Sequence, residues 1–234
     1  MPSKAEINKK VFIVLPVYNE EKIILETLKE IKSAGYENII TVDDGSKDNS
    51  HQKIKDFDSN IVALRHRLNR GKGAATKTGI EAAKILGAEI IVTMDSDGQH
   101  NPYEIETLAL PIIEEKCHVA LGSRLKNRKE MPSHKKVLNW IGNAVTWYIT
   151  GLWVSDSQSG FRAYSIKAAN AIDTKGDRYE YESEVIREIK KNRIPFQEIP
   201  IEVRYTKYSM GKPEGQSLEN GFKTVFRLVW NIFS

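Results

Sequence analysis

Through the first two thirds of the chain, apolar residues fall in short unbroken blocks, each followed by a polar turn and then a helical stripe. Val11–Val17 has no polar alternation, the pattern of a strand buried on both faces. Ile23, Ile24, Leu28 and Ile31 then recur at helical spacing, with Gly35 as a stop signal. Asn38–Val42 reads as a second strand, and Asp48-Asn49-Ser50 as the cap of a helix reaching Phe57. Ile61–Leu64 is a third strand. Gly71-Lys72-Gly73 opens a helix whose small residues, Ala74, Ala75, Gly79, Ala82 and Ala83, make a close-packing face. Glu89–Met94 is a fourth strand, Pro102–Glu115 a helix, and Val119–Ser123 a further strand. This alternation with short connections predicts an α/β domain: a mostly parallel sheet flanked by helices.

The last third has a different rhythm. Lys135–Trp153 is a helix rich in aromatics (Trp140, Trp147, Tyr148, Trp153), Tyr181–Lys191 a shorter charged helix, and Ile199–Tyr205 an alternating strand. From Leu218 the apolar positions Phe222, Val225, Phe226, Val229, Trp230 and Phe233 keep a helical stripe, with Lys223, Arg227 and Asn231 opposite. The expected layout is a polar, flexible lead-in over residues 1–10, one domain over 11–212 and an amphipathic helix over 213–234.

Composition narrows the partners. The chain has 234 residues, enough for one α/β domain with a full core. A net charge of +4 is too mild to point to nucleic acid. The single cysteine, Cys117, excludes an internal disulfide and a Cys-based zinc site, and fits a reducing cytoplasmic compartment. No stretch reaches the roughly 20 apolar residues of a spanning helix, and Met1–Lys10 has no basic-then-apolar signal, so a non-integral protein is expected. Nothing in the sequence sets an oligomeric state.

Three polar clusters follow three separate strands: Asn19-Glu20, Asp43-Asp44, and Asp95 with Asp97. Parallel strands place their carboxyl ends on one edge, where such sheets bind ligands, so the clusters should converge. Two carboxylates one residue apart can share a hard divalent cation with nucleotide phosphates; an Asp-rich turn that merely ends a strand is the structural alternative. For Gly71-Lys72-Gly73, backbone geometry with a solvated lysine weighs at least as much as phosphate contact. His100 either touches a ligand or caps the turn before Pro102, capping being favoured, and a solvated helix face accounts for Glu182 and Glu184.

Five ordered motifs carry a resemblance: Val14-Leu15-Pro16-Val17-Tyr18-Asn19-Glu20, Val42-Asp43-Asp44-Gly45-Ser46, Asn69-Arg70-Gly71-Lys72-Gly73, Met94-Asp95-Ser96-Asp97-Gly98-Gln99-His100 and Asp156-Ser157-Gln158-Ser159-Gly160-Phe161-Arg162. Together they resemble family 2 glycosyltransferases of the GT-A (Rossmann-like) fold, over roughly residues 11–207, and more narrowly the dolichol-phosphate mannose synthase branch. The resemblance implies an inverting transferase that moves a sugar from GDP-mannose or a UDP-hexose to a polyprenyl (dolichyl) phosphate. It implies that Pro16, Tyr18, Glu20, Asp43 and Asp44 surround the base and ribose, and that Asp95, Asp97 and Gln99 hold Mg²⁺ or Mn²⁺ against the diphosphate. The branch often has Asp-Ala-Asp followed by a larger apolar residue, where this chain has Ser96 and Gly98.

A phosphate monoester is already largely a dianion near pH 7, its second pKa being about 6, so it needs cations to place it rather than a base. Arg124, Arg162 and Arg204 are the candidates, with Arg128 and Ser133 as further acceptor-loop candidates. A surface salt bridge is the alternative for each arginine, and Arg162 also has the option of tying the Ser159-Gly160-Phe161 turn to the sheet. Asp97, Arg124 and Arg204 form the expected catalytic set.

A lipid acceptor would place the protein peripherally on the cytoplasmic face of a membrane. Arg124-Leu125-Lys126-Asn127-Arg128-Lys129 and Lys135-Lys136 precede the Trp-rich helix, and indoles favour membrane interfaces. The C-terminal stripe fits an in-plane helix or, equally, packing on protein. Two alternatives stand beside this reading: a family 2 transferase acting on a sugar hydroxyl, and a non-catalytic nucleotide-sugar-binding module.

Overall fold

The protein is represented by a computed structural model that describes residues 4–124, 133–178 and 180–204. The expected C-terminal helix over 213–234, Arg128 and the basic run after Arg124 lie outside the described residues. Residues 4–10, expected as a flexible lead-in, form helix α1 (Lys4–Lys10), with Ile7 buried against the core.

Seven strands make one sheet: β1 (Val11–Val17), β2 (Ile39–Asp43), β3 (Val62–Arg65), β4 (Ile90–Thr93), β5 (Val119–Ser123), β6 (Arg162–Ser165) and β7 (Phe196–Pro200). Their order is β3-β2-β1-β4-β6-β5-β7. β1 pairs in parallel with β2 and β4, β2 with β3, and β5 with β7, whereas β6 runs antiparallel to both β4 and β5. All strands except β6 therefore point their carboxyl ends the same way, and β6 brings its amino end to that edge.

The unbroken apolar blocks are explained by helices on both faces. Ile13 and Leu15 pack with α2 (Ile24–Ser33), α3 (Ser50–Phe57) and α5 (Ile105–Ile113), while Val14 faces α4 (Lys72–Ile85), α7 (Ile166–Ala171) and α8 (Glu180–Lys191). The close-packing face of α4 is real: a Cβ on Gly79 would sit 2.3 Å from Val14 Cγ1.

Several boundaries differ from the sequence pattern. The strand expected at Ile199–Tyr205 lies earlier, as β7 (Phe196–Pro200), and beyond it, among the described residues, Val203 makes an isolated bridge to His100. The helix expected over Pro102–Glu115 begins as a 3-10 turn, Pro102–Glu104, whose cap is the Asn101 side chain and not His100. β6 and α7 have no counterpart in the sequence pattern, because Arg162–Ser165 is not an apolar block and six helical residues give too short a run for a period to register.

Over its described side chains, Trp140 and residues 142–150, the Trp-rich helix α6 (Ser133–Thr150) is inside-out: Asn143, Thr146 and Thr150 are the buried ones, and Thr146 Oγ1 lies 3.2 and 3.1 Å from the hydroxyls of Ser157 and Ser183. Trp140, Trp147 and Tyr148 are at least half exposed, and Trp153 just beyond the helix meets Trp147 edge-on at 6.4 Å.

Candidate active site

The loops after β1, β2 and β4 converge at the carboxyl edge of the sheet. There they line an open cleft of about 580 Å³ with Tyr18, Glu20, Asp44, Lys72, Asp95, Asp97 and Arg178 among its walls. Each wall is stitched by local hydrogen bonds. Asn19, in left-handed backbone, and Glu20 donate their N–H groups to the Ser46 and Ser50 hydroxyls at 2.9 and 2.8 Å, tying the first loop to the second. Tyr18 is left 41% exposed on the rim, and Pro16 lies in the cleft floor.

Asp43 and Asp44 have separate tasks. Asp43 is the last residue of β2, fully buried and absent from the cleft wall; it accepts the Ser46 N–H at 2.9 Å and meets Arg65 Nε at 3.0 Å. Its contribution is to shape the turn. Asp44 does line the cleft, but its carboxylate accepts the Arg70 and Gly71 N–H groups at 3.0 and 2.7 Å and meets His66 Nδ1 at 2.7 Å. It binds the end of β2 to the start of α4.

The acidic turn after β4 is held from below. Ser96 Oγ donates to the Pro16 carbonyl at 2.8 Å, which gives the serine between the two aspartates a structural purpose. Gly98 takes φ +75°, a conformation where a larger apolar residue would be strained. Asp97 accepts the Gln99 N–H at 3.1 Å and its side-chain amide at 2.6 Å, so Gln99 orients Asp97.

Asp95 meets Lys72 Nζ at 2.6 Å and His100 Nε2 at 3.3 Å. Burial opposes its ionisation, yet the ammonium and the imidazole outweigh that and hold its pKa far below the usual carboxylate range. Lys72 also meets Glu182 at 3.2 Å. Burial works against its charge too, but the two carboxylates prevail and raise its pKa. Lys72 is therefore a cleft-lining cation paired with two carboxylates, not the freely solvated side chain that was one of the two options from sequence. Nor is Glu182 on a solvated face: it is 4% exposed, with Oε2 buried and unpartnered. Gly160, at the start of the reversed strand, leaves room for this pair, since a Cβ there would sit 2.6 Å from Lys72 Nζ.

The arginines divide. Arg162 is interior, and its guanidinium donates to the carbonyls of Ser157, Ser159 and Glu182 at 2.7, 2.8 and 3.2 Å, which corrects the expectation that it cradles a ligand phosphate. Arg124, at the end of β5, forks onto Asp156 at 2.7 and 2.8 Å. Arg204 Nη1 donates to both carboxylate oxygens of Glu30 at 2.8 and 2.9 Å and Nη2 donates to Asn101 Oδ1 at 3.0 Å, while its backbone N–H donates to the Gln99 carbonyl. Both lie on the same edge as the cleft, although neither is part of its wall. Ser133 is the first residue of α6.

A divalent ion fits this donor set. Asp95 and Asp97 present hard oxygen ligands to one cleft, and among the described residues no group of three His, Cys, Asp or Glu side chains is placed to hold an ion by itself. Mg²⁺ and Mn²⁺ sites in nucleotide enzymes commonly have that form, with remaining positions filled by phosphate oxygens and water. Sequence reasoning missed His66 and Arg178, and it placed Asp156 in a motif without seeing that it holds Arg124.

The sequence profile of glycosyl transferase family 2 matches residues 12–173. A UDP-N-acetylglucosamine–dolichyl-phosphate N-acetylglucosaminyltransferase of Methanococcus voltae is 39% identical, with 95% of this chain and 96% of the relative covered. An uncharacterised protein of Methanocaldococcus jannaschii is 44% identical over 96% of this chain and 93% of its own. Glucosyl-3-phosphoglycerate synthase of Mycobacterium tuberculosis, solved with Mn²⁺, UDP and phosphoglyceric acid, superposes with a TM-score of 0.72 at 16% identity, covering 96% of this chain and 78% of that one. At that identity the likeness is one of fold, and it agrees with the expected GT-A sheet.

Proposed function

The chain belongs to glycosyl transferase family 2, and from that premise we propose that it transfers a sugar from a nucleoside diphosphate to a polyprenyl phosphate at a membrane surface. The observation that carries the proposal is the cleft itself, which Asp95 and Asp97 line together with Tyr18 and Glu20 at the carboxyl edge. The similarity to the dolichyl-phosphate N-acetylglucosaminyltransferase supports the acceptor class, and favours UDP-N-acetylglucosamine over GDP-mannose as donor.

In this reading Tyr18 stacks on the base and Glu20 takes the ribose. Asp95 and Asp97 would hold Mg²⁺ or Mn²⁺, with Gln99 aiming Asp97. When bound, the ion would neutralise charge that builds on the diphosphate as the glycosidic bond breaks. An oxygen of the acceptor phosphate attacks the anomeric carbon as that bond breaks on the opposite face, so configuration inverts. No residue has to remove a proton, because the phosphate arrives as an anion. The burial of Glu182 and its pairing with Lys72 support a mechanism without a dedicated base. Arg124 and Arg204 are assigned to the acceptor phosphate, each guanidinium oriented by the carboxylate it meets. The inside-out α6 supports a lipid acceptor, since exposed indoles and a phenol suit the headgroup layer. Among the described residues no helix is long and apolar enough to cross a membrane.

The test is an extraction assay. With Mn²⁺, labelled UDP-N-acetylglucosamine and dolichyl phosphate, label should enter the organic phase, and dolichol lacking the phosphate should give none. Transfer to a free sugar hydroxyl with polyprenyl phosphate ignored would refute the proposal.

A further inference from the structure

The segment between α7 and α8, residues 172–178, lies over the start of α4 and ends with Arg178 in the cleft wall. It is strapped down at several points. The Asp177 carboxylate meets Lys77 Nζ at 2.7 Å and Arg70 Nη2 at 3.2 Å, and its carbonyl accepts the Ala74 N–H at 2.9 Å. Glu184 accepts the N–H groups of Lys175 and Gly176 at 2.7 and 2.8 Å. The glycines flanking Lys72 make this approach possible. A Cβ on Gly71 would sit 2.4 Å from the Asp177 carbonyl oxygen and 2.6 Å from Arg178 Cγ, and one on Gly73 would sit 2.6 Å from Tyr181 Cβ. The Gly71-Lys72-Gly73 turn is thus the seat of the strap.

Arg178 differs from the other cations near the cleft. Lys72 is held between Asp95 and Glu182, Arg124 by Asp156, and Arg204 by Glu30. The Arg178 side chain is exposed, and among the described residues no carboxylate pairs with its guanidinium. It lines the same cleft as Glu20, Asp44, Asp95 and Asp97, where an incoming diphosphate meets carboxylates and needs cations.

We propose that Arg178 is the guanidinium that grips the donor's diphosphate, set in place by the strap on Gly71 and Gly73. Its planar fork matches two phosphate oxygens, and it can form that contact without first giving up a carboxylate partner. The inference rests on the nucleoside-diphosphate reading above.

The experiment compares wild-type protein with Arg178→Gln and Arg178→Lys, using UDP, GDP and inorganic pyrophosphate with Mn²⁺ as calorimetric probes. In Arg178→Gln, UDP and pyrophosphate should bind about 10- to 100-fold more weakly, as expected for loss of a charged phosphate contact. The donor KM should rise in step, the KM for polyprenyl phosphate should hold, and Arg178→Lys should recover part of the loss. Tm should not move, because the side chain is exposed. Asp177→Asn, which loosens the strap and leaves Arg178 in place, should raise the donor KM to a smaller degree. Unchanged UDP binding in Arg178→Gln, or a defect confined to the polyprenyl phosphate KM, would overturn the assignment while leaving the donor reading intact. Failure of wild-type protein to bind any of the three diphosphates with Mn²⁺ would remove the donor reading and this inference together.

Discussion

The two aspartates of the acidic turn have unequal surroundings, and that inequality predicts unequal phenotypes. Among the described residues Asp97 is engaged by Gln99 alone, so Asp97→Ala should leave Tm nearly unchanged. Activity should fall on the order of 100-fold or more if Asp97 holds the ion, since metal stabilisation of developing charge amounts to several kcal/mol. A transfer assay beside a thermal melt separates the two effects. Arg124 is a contrasting case, because Asp156 beneath it is 3% exposed. Removing the guanidinium with Arg124→Ala strands that carboxylate, and urea unfolding should register a loss of about 3–5 kcal/mol. The pair also sets a pH response. Burial opposes ionisation of Asp156, but Arg124 outweighs it, so its folded pKa lies below the unfolded value. Stability from this group is therefore present above about pH 4, near the unfolded pKa, and drains away as pH falls further. Urea midpoints measured from pH 6 down to pH 3 should drop over that acid range, and less steeply in Asp156→Asn.

At the scale of elements, α4 and α6 illustrate opposite uses of a helix face. α4 lies tightly on β1 because Gly79 has no Cβ to strike Val14. Gly79→Ala improves helix propensity by about 1 kcal/mol but forces an overpacked contact costing about 1–3 kcal/mol. The contact is with a fully buried strand residue, so the clash should prevail and Tm should fall. α6 turns its polar residues inward onto Ser157 and Ser183 and leaves its indoles outside. Replacing Trp140 and Trp147 together with serine should scarcely alter Tm, yet should weaken sedimentation with anionic vesicles. Unchanged vesicle binding would mean that another surface makes the membrane contact.

At the scale of the whole molecule, the reversal of β6 decides where the site lies. Because β6 enters the sheet from the edge where its neighbours end, Gly160 arrives beside Asp95, and the Thr93 hydroxyl fastens it through a 2.8 Å bond to the Gly160 carbonyl. The cleft is consequently shared by segments from Pro16 to Arg178, and a ligand spanning it should stabilise the entire fold. Donor with Mn²⁺ at 100 times its Kd should add about 2.7 kcal/mol. For a domain of this size that corresponds to roughly 5–10 °C in Tm. A thermal-shift comparison should give the larger rise with UDP-N-acetylglucosamine than with GDP-mannose.

The local code was enough to specify the strands up to β5 and their helices, since buried apolar blocks and helical stripes depend only on residues near in sequence. It also marked the carboxylates of the cleft, because acidic turns after parallel strands must share an edge. Contacts between distant segments decided which partners the charged residues of the site meet. Arg162 could be assigned to the interior only once Ser157 and Glu182 were seen around it, and Lys72 only once Asp95 and Glu182 closed on it. The direction of β6, the inward polar face of α6 and the seating of residues 172–178 on α4 likewise depend on packing partners far along the chain. Periodicity records which faces of an element are apolar; which residue a charged side chain meets is fixed only when the sheet assembles.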